Sequence, residues 1–167
     1  TVGTYHSFAQ TVVREFGLRI GLDPDLRIET EFLLGPLSRQ VAARTTALAS
    51  LEVTTRLSDI AKAVRTLDAE LAEHVVSTSQ LRARETERLE RLLEVVSPVK
   101  NVADVLASAQ LRRALADVVD EYRIAKLELG VMDFADLMRY SHLIATKAPA
   151  VVAELRARFT SVLLDES

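Results

Sequence analysis

One stretch of helical periodicity, residues 101–130, constrains the fold more than any other feature of the sequence. Asn101 can cap the start of a helix there, and Gly130 can end it. Between them, apolar side chains recur at spacings of three and four residues: Val105, Leu106, Leu111, Leu115, Val118, Val119, Tyr122 and Leu129. At a rise of roughly 1.5 Å per residue this helix would be about 45 Å long. We therefore expect a mainly helical fold built along it.

Composition and further periodic segments extend this prediction to most of the chain. The 167 residues suit one domain, and five Gly, four Pro, no Trp and an abundance of Leu, Ala, Val, Glu and Arg favour helices. Periodicity predicts roughly seven helices in all. The others cover about 8–20; about 30–51, kinked or split at Gly35-Pro36; Ser58 to about Val76, with Ser58 as N-cap; Gln80 to Pro98, after a turn at Ser77 to Ser79; the segment capped by Asp133; and Pro149 to about Phe159.

The two ends of the chain have the composition of strands. Val2, Thr4 and Tyr5 favour a short strand that leads into the first helix. The apolar run at 160–166 has the pattern of a strand buried on both faces of a parallel sheet. Two lone strands do not make a stable sheet. We therefore expect an excerpt of a larger α/β protein, and the start at Thr1 favours the same interpretation.

Charge and cysteine content exclude several classes of function. The formal net charge of -3 argues against binding a polyanion by bulk charge, so any nucleic-acid contact must be local. The absence of cysteine excludes disulfides, thiolate metal sites and cysteine nucleophiles. No apolar run approaches the roughly 20 residues that span a bilayer, and no signal peptide pattern opens the chain. We expect a soluble, cytoplasmic protein with no membrane partner.

The candidate site residues lie at the two ends. Asp165 and Glu166 follow the apolar run, where open α/β sheets place ligands, and Mg²⁺ takes one or two such carboxylates beside a phosphate. A polar chain end explains this pair equally well. His6 has no second histidine at metal-binding spacing, and a histidine at a helix start usually caps or packs. A Ser7-His6-Asp165 hydrolase lacks the GxSxG elbow. Spacing alone therefore assigns no reaction to either end.

Arginines on two helices are candidates for phosphate contacts. Glutamates interleave with the first set, so a solvated helix face is the favoured interpretation of Arg82, Arg84, Arg88 and Arg91. The same holds for the basic residues of the long helix, which are Arg112, Arg113, Arg123 and Lys126. No GxxxxGK[ST] or GxGxxG motif occurs, so the sequence carries no phosphate cradle of its own.

Two blocks of the sequence resemble UvrD/Rep-type superfamily 1 DNA helicases. VGTYHSFAQTVVREFGLRIGLDPDLRI, residues 2–28, is similar to the Thr-aromatic-His motif of that family and its following helix. GVMDFADLMRYSHLIATKAPAVVAELRARFTSVLLDE, residues 130–166, is similar to the segment that leads into Walker B. The blocks occur in the family's order. The region between them is most similar to actinobacterial helicase-nuclease subunits of the AdnAB kind.

The resemblance implies a division of the chain. Residues 1–28 and 131–167 would be pieces of the first RecA-like motor domain, 1A, each carrying one short terminal strand. Residues 29–130 would be the helical, bundle-like 1B subdomain inserted between them. The fold expected from the resemblance is therefore mainly α, with two strands left from an α/β motor domain.

The resemblance also implies roles for individual residues. Thr4, Tyr5 and His6 would lie on the track for single-stranded DNA, where they would contact phosphates, sugars or bases. Asp165 would bind Mg²⁺, and Glu166 would be the catalytic carboxylate that polarises the water attacking the γ-phosphate. A third set, expected to pack with its first member as a helix cap, is Asp133, Phe134 and Leu137.

The parent protein implied by the resemblance is an ATP-dependent DNA helicase. It would use ATP and Mg²⁺, contact single-stranded and duplex DNA, serve repair or recombination in the nucleoid, and pair with a second helicase-nuclease protein. The chain itself lacks the phosphate loop, so we expect it to be inactive alone. The rival interpretation is a stand-alone helical protein-interaction module without catalysis. A metal-dependent hydrolase would need more ligands than the sequence offers.

Overall fold

A computed structural model of the protein describes residues 3–23, 25–49, 51, 55–94 and 102–161. Within these ranges the chain forms seven α-helices, one 3-10 helix and two short strands. In chain order they are α1 (Tyr5–Phe16), the 3-10 helix (Gly17–Ile20), β1 (Arg27–Ile28), α2 (Glu31–Arg44), α3 (Leu57–Glu73), α4 (Thr78–Glu94), α5 (Val102–Glu128), β2 (Val131–Met132), α6 (Phe134–Lys147) and α7 (Pro149–Arg158). The predicted mainly helical fold is confirmed. None of the described helices combines the length and apolar character that crossing a bilayer requires.

The start of the described chain is a helix cap and not a strand. Thr4 is the N-cap of α1, and its Oγ1 accepts a hydrogen bond from the Ser7 N–H at 3.2 Å. Tyr5 is the first helical residue. The predicted strand over Thr4 and Tyr5 is therefore wrong, because the capping bond satisfies a free N–H of the helix start and outweighs weak β-propensity. Val2 and residues 162–166 of the second predicted strand lie outside the described residues.

The two observed strands lie inside the chain, where the sequence analysis predicted none. They are parallel, with Arg27 opposite Val131 and Ile28 opposite Met132. The Arg27 N–H donates to the carbonyl oxygen of Gly130 at 3.0 Å. Strands of two residues are too short to show an alternating pattern, so periodicity gives no signal for them. The short sheet joins the segment before α2 to the segment after α5.

Helix α2 continues through Gly35-Pro36 and ends at Arg44. The predicted split at the proline, and the predicted end near residue 51, are therefore wrong. Leu34 and Leu37 flank the Gly-Pro pair and are both buried. Their packing compensates for the backbone hydrogen bond that proline cannot make.

Helix boundaries elsewhere follow their capping residues in most cases. Gly130 has a φ of 66°, a left-handed conformation that glycine adopts freely and that ends α5. Asp133 caps α6 and Pro149 opens α7, both as predicted. Ser58 is not a cap, since α3 already begins at Leu57. Pro98 and Asn101, the predicted boundaries of α4 and α5, lie outside the described residues.

Buried apolar side chains form two clusters with separate members. We call the first the end cluster; its residues come from α1, the segment before β1, the strand β2, α6 and α7: Ala9, Val12, Val13, Phe16, Leu22, Met132, Leu137, Tyr140, Ile144 and Val151. We call the second the middle cluster; its residues come from α2, α3 and α5: Leu37, Val41, Val64, Leu71, Leu115, Val118, Val119 and Tyr122. The two ends of the chain thus pack on each other, and the middle packs on itself.

Candidate functional site

The first turn of α1 presents the three residues that the family resemblance assigns to DNA. Thr4 accepts the capping bond from the Ser7 N–H, and the Ser7 hydroxyl donates back to the Thr4 carbonyl oxygen at 2.7 Å. These reciprocal bonds fix the direction in which the helix begins. Tyr5 is 56% exposed, and His6 is also exposed. The structure therefore brings all three together at one exposed helix start.

Half-exposed aromatic rings surround this helix start, and we call them together with His6 the aromatic surface. The His6 imidazole and the Phe134 ring meet edge to face, with centroids 5.1 Å apart and planes at 81°. Phe8 and Phe159 meet in the same way at 5.7 Å and 79°. Both residues predicted to pack do so in different places: Leu137 is fully buried, whereas Phe134 is 52% exposed and packs on His6 at the surface.

The chemistry that the aromatic surface offers is stacking and hydrogen bonding without bulk charge. Aromatic faces stack with any nucleobase, and hydroxyl and imidazole groups bond phosphate or sugar oxygens. The five rings come from three helices, since Tyr5, His6 and Phe8 lie on α1, Phe134 on α6, and Phe159 directly after α7.

The predicted magnesium and catalytic carboxylates, Asp165 and Glu166, lie outside the described residues. Within the part of the chain that the structure describes, no three His, Cys, Asp or Glu side chains are grouped as a metal ion requires. His6 packs against the Phe134 ring, a role that is usual for a histidine at a helix start.

Two of the four arginines of α4, Arg82 and Arg91, form ion pairs within the protein. Arg82 Nη1 lies 3.0 Å from Asp117 Oδ1 and 2.8 Å from Asp120 Oδ2 on α5. Arg91 pairs with Glu87 one turn away on the same helix. These pairs support the favoured interpretation of a solvated, ion-paired helix face. Arg84 and Arg88 are exposed, and neither has an ion-pair partner among the described residues, so these two guanidinium groups stay open to solvent.

A group of six charged residues joins α3, α5 and α6; three of them are buried, and the other three are partly exposed. The sequence analysis placed Arg123 and Lys126 on a solvated helix face, and that expectation is wrong because both side chains turn to carboxylates inside the protein. We call the group the ionic cluster; its members are Asp68, Arg123, Lys126, Asp133, Asp136 and Arg139. Lys126 is 1% exposed, and its Nζ lies 2.8 Å from Asp68 Oδ2, 2.8 Å from Asp133 Oδ2 and 2.7 Å from Asp136 Oδ2. Arg123 Nε donates to Asp68 Oδ1 at 2.7 Å.

The environment shifts the titration of these groups in opposite directions. Burial alone would lower the pKa of Lys126, but the attraction of Asp136, Asp68 and Asp133 outweighs it and raises that pKa above its usual value. Burial raises the pKa of Asp68, but Lys126 and the two arginines more than offset this, so the net pKa is lowered. For Asp136 burial prevails, and its pKa is raised. Opposite charges packed together therefore offset the cost of burial for Lys126 and Asp68, but not for Asp136.

Helical periodicity held a signal for this cluster. Lys126 lies four residues after Tyr122 and eight after Val118, on the apolar stripe of α5. Asp68 lies four residues after Val64 on the stripe of α3. A charged residue at a core position is expected to find a buried partner of opposite charge. The pattern thus predicts that partners exist, but not which residues they are.

The sequence of this chain is similar to those of known proteins. A sequence model described as the UvrD/REP helicase N-terminal domain matches residues 1–167. The chain is also 31% identical over 83 residues to one of the subunits of an ATP-dependent helicase/nuclease from Natranaerobius thermophilus. That similarity takes in 50% of this chain and 6% of the relative, so the chain spans a small part of that protein's length.

Proposed function

This chain belongs to the UvrD/REP helicase family, and from that premise we propose that it is part of an ATP-driven DNA helicase or translocase. The observation that carries the proposal is the aromatic surface at the capped start of α1. It offers exposed aromatic rings and hydrogen-bonding groups near one helix start, and such groups bind single-stranded nucleic acid by stacking and by hydrogen bonds. Thr4, Tyr5 and His6 are its proposed DNA contacts.

The division of the chain is also part of the proposal. Residues 1–28 and 131–167 are proposed as pieces of the RecA-like motor domain 1A, and residues 29–130 as the inserted 1B subdomain. Two observations support it. The end cluster and the middle cluster have separate members, and the described members of each fall on either side of these boundaries. The strands Arg27–Ile28 and Val131–Met132 pair at the boundaries themselves.

The ATP site of the parent protein rests on the sequence. We propose Asp165 as the residue that holds Mg²⁺ beside the bound nucleotide, since carboxylates are preferred ligands of this ion. Glu166 is proposed to orient and polarise the attacking water. Mg-ATP bound there would supply the energy for movement along DNA. The phosphate loop is not among the motifs of this sequence, so we expect the chain alone not to hydrolyse ATP.

The cellular setting follows from the family and stays a proposal. The relative from Natranaerobius thermophilus is named as one subunit of a helicase/nuclease. By analogy we propose that the parent protein pairs with a second helicase-nuclease protein and contacts single-stranded and duplex DNA. We also propose a role in repair or recombination at the nucleoid. The actinobacterial AdnAB kind is the proposed subtype.

The test uses the full-length protein with and without single-stranded DNA. Glu166→Gln should lower ATP turnover roughly 10²- to 10⁴-fold, the usual effect of losing an acid–base group, in both conditions. DNA affinity should stay at the wild-type value because the fold and the aromatic surface are intact. Glu154→Gln, on an exposed face of α7, is the matched control and should keep full activity.

Two outcomes would contradict the proposal. If the wild-type full-length protein shows no ATP hydrolysis, the result contradicts the helicase proposal and favours the rival interpretation of a helical interaction module. If Glu166→Gln keeps normal turnover, the carboxylate assignment is wrong.

A further inference from the structure

The ionic cluster connects the two halves of the fold that have separate apolar cores. Asp68 and Lys126 belong to α3 and α5, whose apolar faces form the middle cluster. Asp133 and Asp136 belong to the start of α6, whose apolar face is in the end cluster. The Lys126 ammonium bonds carboxylates from both sides, at 2.8 Å from Asp68 and at 2.8 and 2.7 Å from the two α6 aspartates. One buried cation thus binds α3, α5 and α6 together.

The ion pairs of this cluster restrict how α6 can lie relative to α5. Three cations face three carboxylates, and Arg139 bonds Asp136 Oδ1 at 2.6 Å while Lys126 bonds the other oxygen, Oδ2. A buried carboxylate that loses its cation has no water to replace it. Helices joined by apolar packing tolerate small sliding movements, whereas this arrangement keeps its bonds only in one register. The start of α6 is therefore fixed relative to α5.

Asp133 transmits that register to the first turn of α6. Its Oδ2 accepts from Lys126 Nζ, and its Oδ1 accepts from the Asp136 N–H at 2.8 Å. In return Asp136 Oδ2 accepts from the Asp133 N–H at 3.1 Å, which completes a capping box. The same carboxylate thus caps the helix and ties its first turn to α5.

Phe134 is the next residue, and its ring is partly covered by the rest of the protein. It is half exposed, and its aromatic neighbour is His6, 5.1 Å away. The orientation of the imidazole therefore depends on where the first turn of α6 stands. The position of this first turn depends on the bond between Asp133 and Lys126.

We propose that Lys126 is a positioning residue for the His6–Phe134 pair and acts through Asp133. The buried ammonium fixes the first turn of α6, the turn fixes the Phe134 ring, and the ring fixes the His6 imidazole. The helical middle of the chain thereby sets the geometry of the aromatic surface. The inference rests on the proposed function only in taking His6 as a DNA contact.

The test is nuclear magnetic resonance of the carbon-bound ring protons of His6, assigned by comparison with a His6→Gln variant. The Phe134 ring current shifts these signals, and Phe134→Leu marks their position without it. Asp133→Ser keeps a capping hydroxyl but loses the charge that bonds Lys126. It should move the His6 signals at least halfway toward their position in Phe134→Leu while circular dichroism stays unchanged. Asp133→Asn, a second capping residue, should do the same.

The matched control is Asp117→Asn on the same α5, which loses an exposed ion pair with Arg82 that does not touch α6. It should leave the His6 signals at the wild-type position. Lys126→Met removes the cation itself and should move them as Asp133→Ser does; if it fails to fold, the two Asp133 variants still decide. Folded Asp133→Ser and Asp133→Asn proteins with wild-type His6 signals would overturn the proposal.

A separate arm tests the DNA role. Addition of a single-stranded dT oligonucleotide should shift the His6 signals of the wild-type chain. If the oligonucleotide shifts nothing in any variant, the DNA contact is contradicted. The positioning of His6 by Lys126 would still stand on the comparison without DNA.

Discussion

Tyr122 is a buried residue whose hydroxyl group makes no hydrogen bond among the described residues. Its side chain is almost fully buried in the middle cluster. The ring face lies 4.6 Å from Lys126 Nζ, a favourable contact between cation and ring that phenylalanine would keep. We therefore expect Tyr122→Phe to raise the free energy of unfolding by about 1 kcal/mol, because an unsatisfied buried hydroxyl is removed. Urea denaturation at neutral pH measures this, with Tyr5→Phe at the exposed start of α1 as the neutral control.

The same residue predicts the response of stability to alkaline pH. Burial raises the pKa of Tyr122 above its ordinary value of 10.0, and the pKa of Lys126 is raised above 10.5. From about these values upward the unfolded chain releases protons that the folded chain keeps, so the free energy of unfolding falls as pH rises. Burial raises the pKa of Tyr140 as well, which adds to the same effect. Tyr122→Phe removes one of these contributions, so its stability should fall less steeply than that of the wild type between about pH 10 and 11. Equal slopes would contradict the assignment.

Asp133 shows which interactions of a residue the sequence predicts and which it does not. The capping role of Asp133 followed from its place before an apolar periodic segment and is confirmed. Its second bond, to Lys126, crosses between helices and leaves no trace in local spacing. Asp68 meets Lys126 across 58 positions of sequence. Local sequence patterns therefore predict local hydrogen bonds such as helix caps. Ion pairs between distant residues can be identified only once the fold is known.

At the scale of elements, the connection between α3 and α4 contains a strained residue. Val75 has a φ of 55°, a left-handed conformation that costs a β-branched residue roughly 1–2 kcal/mol. The Val76 N–H donates to the Leu71 carbonyl oxygen at 2.8 Å, which ends α3 in the way that glycine usually does. We expect Val75→Gly to raise the free energy of unfolding by about 1 kcal/mol, since its exposed side chain contributes little packing. The measurement is thermal or urea unfolding.

Val76→Gly provides the matched control for this prediction. It is the neighbouring partly exposed valine, and its backbone is outside the left-handed region. Glycine there should lower stability by roughly 0.5–1 kcal/mol, the ordinary cost of added backbone freedom. A loss at both positions would show that the Val75 conformation is not a source of strain.

Helices were predictable and strands were not, for a physical reason. A helix of fourteen or more residues repeats its apolar face several times, so α3 and α5 were visible as periodic stripes. The strands are two residues each and owe their existence to the partner segment across the molecule. At Thr4 and Tyr5, β-favouring composition gave the wrong element because one capping bond decided the local structure.

At the scale of the whole molecule, the chain is two packed units joined by a short sheet and the ionic cluster. The aromatic surface belongs to the helices that pack around the end cluster. The helices proposed as the 1B subdomain pack around the middle cluster. The connection lies at α5 and the start of α6, next to His6 and Phe134. In this arrangement the proposed 1B subdomain bonds the first turn of α6 through Lys126, and that turn carries Phe134, the neighbour of the proposed DNA contact His6.

The DNA dependence of ATP hydrolysis by the full-length protein tests the central claim that this helix start is a DNA contact. His6→Ala should raise the concentration of single-stranded DNA needed for half-maximal stimulation about tenfold, equivalent to about 1.4 kcal/mol and within the range of one hydrogen bond to a charged phosphate. Turnover without DNA should stay at the wild-type value, and His142→Ala, on an exposed position of α6, should behave as the wild type. A His6→Ala protein with an unchanged DNA response would contradict the assignment of the aromatic surface to DNA.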